Sequence, residues 1–166
     1  MANTATYHPR SRRQDWAALG AFLVLAALAG GLGSLATTPN IPTWYAALAK
    51  PWFNPPNVVF PLVWTALYVL IAVSGWLAWR APARTGTRAL TPYFLQFALN
   101  VAWSFAFFAA HSPLAGLVVI ALLAVAILWT VAAFWPISRT GALLLLPYLL
   151  WVAFATVLNA AIYALN

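Results

Sequence analysis

The sequence predicts an all-α integral membrane protein, a single bundle of five transmembrane helices, and three observations predict it. Of its 166 residues 65% are hydrophobic and 5% charged, with a mean hydropathy of +0.89, more apolar surface than a water-soluble domain can hide. Long uncharged runs alternate with short segments rich in Pro, Gly and Arg. The basic residues fall almost entirely on one side of the resulting topology.

Residues 1–15 form a basic tail, and 16–166 a single membrane domain. The first run, 16–36, is apolar throughout. As a helix it is about 32 Å long, enough to cross a hydrocarbon core. A secretory signal is the competing reading, since Ser34-Leu35-Ala36 resembles a cleavage site, but the run exceeds the usual apolar core of such peptides. The pairs Ala27/Gly31 and Gly30/Ser34 are spaced for close helix approach. A second span fits 58–79. From Ala89 to Ser138 no residue is charged, and His111-Ser112-Pro113 divides that stretch into spans near 91–110 and 114–135. Pro136 and Gly141 punctuate the next turn, and 141–165 is the fifth span.

With the N-terminus inside, Arg10, Arg12, Arg13, Arg80, Arg84, Arg88 and Arg139 lie on the inner side and Lys50 alone outside. The C-terminus is then outside, beside the segment from Trp44 to Pro56, WYAALAKPWFNPP. Its prolines fix φ and push the preceding residues out of the helical region, so a stiff, extended lid is expected.

Whole classes of chemistry are absent. There is no cysteine, hence no disulfide, thiolate nucleophile or thiolate-held metal. Asp15 is the only acidic residue, so one chain cannot build a carboxylate pair or a Ser-His-Asp triad. The net charge of +7 is spread over termini and loops, which fits topology better than nucleic acid. His8 sits in the tail and His111 in a turn, neither placed to ligate a haem, and no metal site or tightly bound cofactor is expected.

Three faces are candidates for binding. Gln96, Asn100, Trp103 and Phe107 share one side of the third span, and an amide there must look inward, either to lock the bundle or to contact a ligand. Tyr148, Trp151, Ala155, Leu158 and Ile162 line one side of the fifth span, and small Ala155 beside the indole leaves room. Phe60, Trp64 and Leu67, flanked by Val63, line the second just below the lid. Each stripe also reads as simple packing. Trp16, Trp76, Trp79 and Trp135 lie near span ends and suit the interfacial belt, whereas Trp64, Trp103, Trp129 and Trp151 lie deeper.

Together these residues resemble the tryptophan-rich sensory protein (translocator protein, TspO/MBR) family. The resemblance runs through Trp44-Tyr45, Lys50-Pro51 and Pro55-Pro56 in the loop, and through Pro61, Trp64-Thr65 and Leu67-Tyr68 on the second span. It continues in Gln96, Leu99-Asn100, Trp103 and Phe107-Phe108, then in Pro147-Tyr148-Leu149, Trp151 and the run from Phe154 to Asn159. It implies a five-helix bundle, commonly a homodimer, with a pocket under the first loop for porphyrins, sterols and benzodiazepine-type ligands. The pocket positions map onto Phe60, Val63, Trp64, Asn100, Trp151, Ala155 and Leu158, with Trp44 and Tyr45 closing over the ligand. One departure concerns sterols: Tyr163 is followed only by Ala164, Leu165 and Asn166, so the cholesterol-recognition pattern lacks its basic residue. The short C-terminal end looks like that of a bacterial member.

The expected function is a membrane receptor or carrier for porphyrins (tetrapyrroles such as protoporphyrin IX), with a transport or stress-sensing role. Ring faces would stack on indoles, Asn100 would bond a polar edge, and Lys50 would attract a propionate or simply anchor at the interface. The alternative is an enzyme that degrades porphyrin with light and oxygen, for which Trp64 and Trp151 are the catalytic candidates. The charge bias favours a bacterial inner membrane, and the resemblance leaves an outer membrane as the alternative.

Overall fold

The computed structural model describes residues 11–81 and 83–166, and side chains outside 82–88. The tail ahead of Ser11 and the side chains of Arg84 and Arg88 lie outside the described residues, so those parts of the charge count have no structural counterpart.

The described residues form an all-helical bundle with α1 (Arg12–Thr37), α2 (Val59–Trp79), α3 (Ala83–Ser104), α4 (Pro113–Phe134), α5 (Arg139–Leu144) and α6 (Leu146–Leu165). Among these residues four helical segments are long and apolar enough to cross a membrane: Arg12–Tyr45, Val59–Trp79, Pro113–Phe134 and Arg139–Leu165. The chain is a multi-pass integral membrane protein. Helix α3 is of similar length at 22 residues but carries Gln96, Asn100 and Ser104, which lower its hydropathy.

Local chemistry sets the helix ends. Ser11 caps α1: its hydroxyl accepts from the Gln14 N–H at 3.3 Å, and its own N–H donates to Gln14 Oε1 at 2.9 Å. Helix α1 therefore starts before the expected span, and Asp15 lies in its first turn rather than in a tail. There its carboxylate meets Arg80 at 3.4 Å, and its backbone carbonyl accepts from Trp76 Nε1 at 3.0 Å. Ser112 and Ser138 cap α4 and α5. The expected fifth span is two helices, because Pro147 has no N–H to bond back across the junction at Leu145.

The first interhelical segment departs furthest from expectation. Instead of running extended from Trp44, the chain leaves α1 through a 3₁₀ turn (Thr38–Asn40) and a π-helical turn (Ile41–Tyr45), and stays helical to Ala47. Pro39 and Pro42 occupy the opening positions of these turns, where a missing N–H breaks nothing. Only from Leu48 onward does the chain leave the helix for bends, turns and irregular stretches.

Helix α1 packs on α2 and α3, α3 on α4, and α4 on α6, while α5 packs on α2. One half of the bundle is solid. Tyr93 is fully buried there, its hydroxyl donating to the Ile71 carbonyl at 3.0 Å, with Phe22 edge-on at 5.7 Å and Phe134 stacked at 5.8 Å. The Tyr93 ring lies directly against Gly75, a contact that no larger residue permits. The other half, toward the C-terminal ends of α1, α3 and α6, is hollow.

Candidate functional site

The hollow half encloses a cavity of about 670 Å³ between α1, α2, α3 and α6. That volume lies within the range of small-molecule sites. Its aromatic frame is Tyr45, Phe60, Trp64, Tyr68, Trp103 and Phe107. None of the lining residues is charged.

At the inner wall stands Asn100. Its Oδ1 accepts from the Tyr68 hydroxyl at 2.8 Å and its Nδ2 donates to the Tyr148 hydroxyl at 3.1 Å, so the amide joins α2, α3 and α6. Asn100 thus ties the bundle and also lines the cavity. Gln96, on the same face one turn away, does neither. It is 1% exposed, it does not line the cavity, and neither of its amide atoms has a hydrogen-bond partner among the described residues. Trp103 stacks on Phe107 at 5.6 Å and donates through Nε1 to Asn159 Oδ1 at 3.2 Å, while Asn159 Nδ2 donates to the Pro113 carbonyl at 2.7 Å. The indole N–H of Trp103 is thus occupied within the protein.

Of the residues singled out in the sequence, Tyr45, Phe60, Trp64, Asn100, Ala155 and Leu158 line the cavity together. Trp44, Val63 and Trp151 do not. Trp44 stacks on His111 at 4.8 Å and meets Phe107 edge-on at 5.3 Å, behind the lining. Val63, partly buried, packs against the main apolar core without lining the cavity. Trp151 meets Phe60 edge-on at 5.9 Å and Phe154 at 5.4 Å. Trp129, expected deep, is 53% exposed on the outer surface of α4.

Sequence reasoning missed the α1 wall. Ala26, Ala27, Gly30, Gly31, Gly33 and Ser34 all line the cavity. The signal was visible as small-residue pairs, but it was read as helix packing. Gly30 does pack, since a Cβ there would come within 2.9 Å of the Tyr68 ring, whereas Gly31 faces open space.

The first interhelical segment is held in place by several contacts. Helix α3 is continued by a π-helical turn (Phe105–Ala109), after which His111, in the left-handed region at φ 51°, brings its ring over Trp44. Because Asn40 Nδ2 donates to the Ala36 carbonyl, its Oδ1 is an acceptor, and His111 Nε2 donates to it at 2.7 Å. The Tyr45 hydroxyl donates to Asn54 Oδ1 at 2.8 Å. Lys50 Nζ donates to the carbonyls of Ala46 and Leu48 and lies 4.8 Å from the Tyr45 ring centre. Asn166 clasps Ala49 through both backbone groups, at 3.0 and 3.1 Å.

A multi-pass helical membrane protein with an uncharged, aromatic-framed internal cavity is the class that this geometry defines. The profile of the TspO/MBR family matches residues 21–165. The tryptophan-rich protein TspO of Archaeoglobus fulgidus is 44% identical over 144 residues, 86% of this chain and 94% of the relative. The tryptophan-rich sensory protein of Cereibacter sphaeroides is 35% identical over 153 residues, 92% of this chain and 93% of the relative. The human translocator protein is 37% identical over 126 residues, covering 74% and 75%. The chain belongs to the TspO/MBR family.

Proposed function

We propose that this protein is a membrane receptor or carrier that binds porphyrins and related apolar ligands in the cavity beneath the first interhelical segment. The supporting observation is the cavity itself, about 670 Å³ framed by aromatic faces with an amide at its inner wall. A flat tetrapyrrole stacks on Trp64, Phe60 and Trp103, and a polar edge reaches Asn100. Because the lining is uncharged, carboxylates stay at the mouth, where Lys50 keeps one ammonium proton beyond the two given to backbone carbonyls. The names of the relatives, translocator and sensory protein, support a transport or sensing role over an enzymatic one.

In this reading the bundle spans the membrane five times, with the N-terminus inside and the aromatic segment on the outer face of a bacterial inner membrane. Sterol or benzodiazepine-type ligands and a homodimer rest on the family resemblance. The test is titration of the purified protein with protoporphyrin IX, followed by tryptophan fluorescence. Saturable quenching absent from lipid-only controls is expected; quenching indistinguishable from the controls defeats the reading.

A further inference from the structure

We infer that the cavity opens sideways between α1 and α2 into the hydrocarbon of the bilayer, and that apolar molecules reach it by this lateral route. The inference rests on reading the cavity as a ligand site and adds how that site is filled. On α1 the lining residues Ala27, Gly31 and Ser34, and on α2 the lining residues Pro61, Thr65 and Val69, are also exposed on the outer surface. One set of side chains thus borders both the cavity and the outside. The opposite walls differ: Asn100 and Phe107 on the α3 side, and Ala155 and Leu158 on α6, are buried.

The opening suits lipid chemically. Its hydroxyls are satisfied within their own helices, Ser34 donating to the Gly30 carbonyl at 2.9 Å and Thr65 to the Pro61 carbonyl at 2.8 Å. No donor is left to hydrocarbon, where an unsatisfied group is costly. The route past the first interhelical segment, by contrast, requires breaking the contacts of Asn40 with His111, Tyr45 with Asn54 and Ala49 with Asn166. Among the described residues, those named at the opening form no hydrogen bond between α1 and α2.

Gly31 provides the test, since a Cβ built there meets nothing within 4 Å, so a larger side chain can occupy the opening without displacing protein atoms. The chain lacks cysteine, so Ala155→Cys places a single thiol on the buried inner wall. The full-length protein in lipid nanodiscs is treated with an apolar N-alkyl maleimide dissolved in the bilayer, and labelling is followed by mass spectrometry. Adding Gly31→Leu is expected to slow labelling about tenfold. Adding Gly20→Leu, at an exposed position of α1 away from the cavity where a Cβ also meets nothing, leaves the rate unchanged. No labelling of Ala155→Cys from the bilayer, or equal rates with and without Gly31→Leu, overturns the lateral route.

This measurement involves no porphyrin, so it stands or falls apart from the ligand assignment. For protoporphyrin IX itself, Gly31→Leu is expected to slow association and dissociation together. Slower association with faster dissociation would mean that the new side chain merely takes up ligand space, and would count against the route.

Discussion

Two amides on one face of α3 meet opposite fates. Asn100 joins three helices through two tyrosine hydroxyls, so Asn100→Leu strands both hydroxyls and is expected to cost about 1–3 kcal/mol. Gln96 carries an unpartnered amide into an apolar interior, and Gln96→Met, similar in shape, is expected to leave stability unchanged or raise it by about 1 kcal/mol. Thermal unfolding in one detergent checks both, and a large loss in Gln96→Met would reveal an unrecognised partner. The indoles divide similarly. Trp64→Ala is expected to weaken protoporphyrin binding roughly tenfold and Trp151→Ala less than threefold, because Trp64 lines the cavity and Trp151 does not. Helical spacing placed Gln96, Asn100 and Trp103 on one inward face correctly. It did not say which amide finds a partner, since that depends on the neighbouring helix. Trp151 was read as lining for the same reason: Ala155 leaves space beside it, yet the indole turns to Phe60 and Phe154 instead.

At the level of elements, the apolar runs were legible because hydropathy reports directly on burial in lipid. The breaks were less so. The prolines between Trp44 and Pro56 predict extended chain from Trp44, yet the helix continues to Ala47, and only the stretch around Pro51, Pro55 and Pro56 is non-helical. In α3, Pro92 lies inside the helix without ending it, so α3 starts well before the expected boundary. A proline's effect depends on its place in a turn, which composition does not record. Close approach is a sharper constraint. Gly75 admits the Tyr93 ring that fills the solid half, and Gly75→Ala is expected to cost about 1–3 kcal/mol by overpacking. Gly20→Ala, at a position facing open space, serves as the comparison. If both variants melt together, the Tyr93 contact is not what holds α2 to α3.

The molecule as a whole is divided into a solid half around Tyr93 and a hollow half around Asn100, and the family resemblance located the hollow half through residues on α2, α3 and α6. The α1 wall escaped notice because small residues serve packing and vacancy alike. Filling the hollow half should stabilise the fold: protoporphyrin at a hundred times its dissociation constant is expected to add about 2.7 kcal/mol, read as a rise in melting temperature. An unchanged melting temperature at that concentration would mean that protoporphyrin does not bind the folded state. The clasp between Asn166 and Ala49 bears on this equilibrium through populations. If its two hydrogen bonds contribute about 1 kcal/mol each, the chain near Ala49 is released from α6 in about 3% of molecules at any instant. That minority costs a bound ligand almost nothing in affinity, yet it makes the tie between Ala49 and α6 a fluctuating one that a partner protein could bias in either direction.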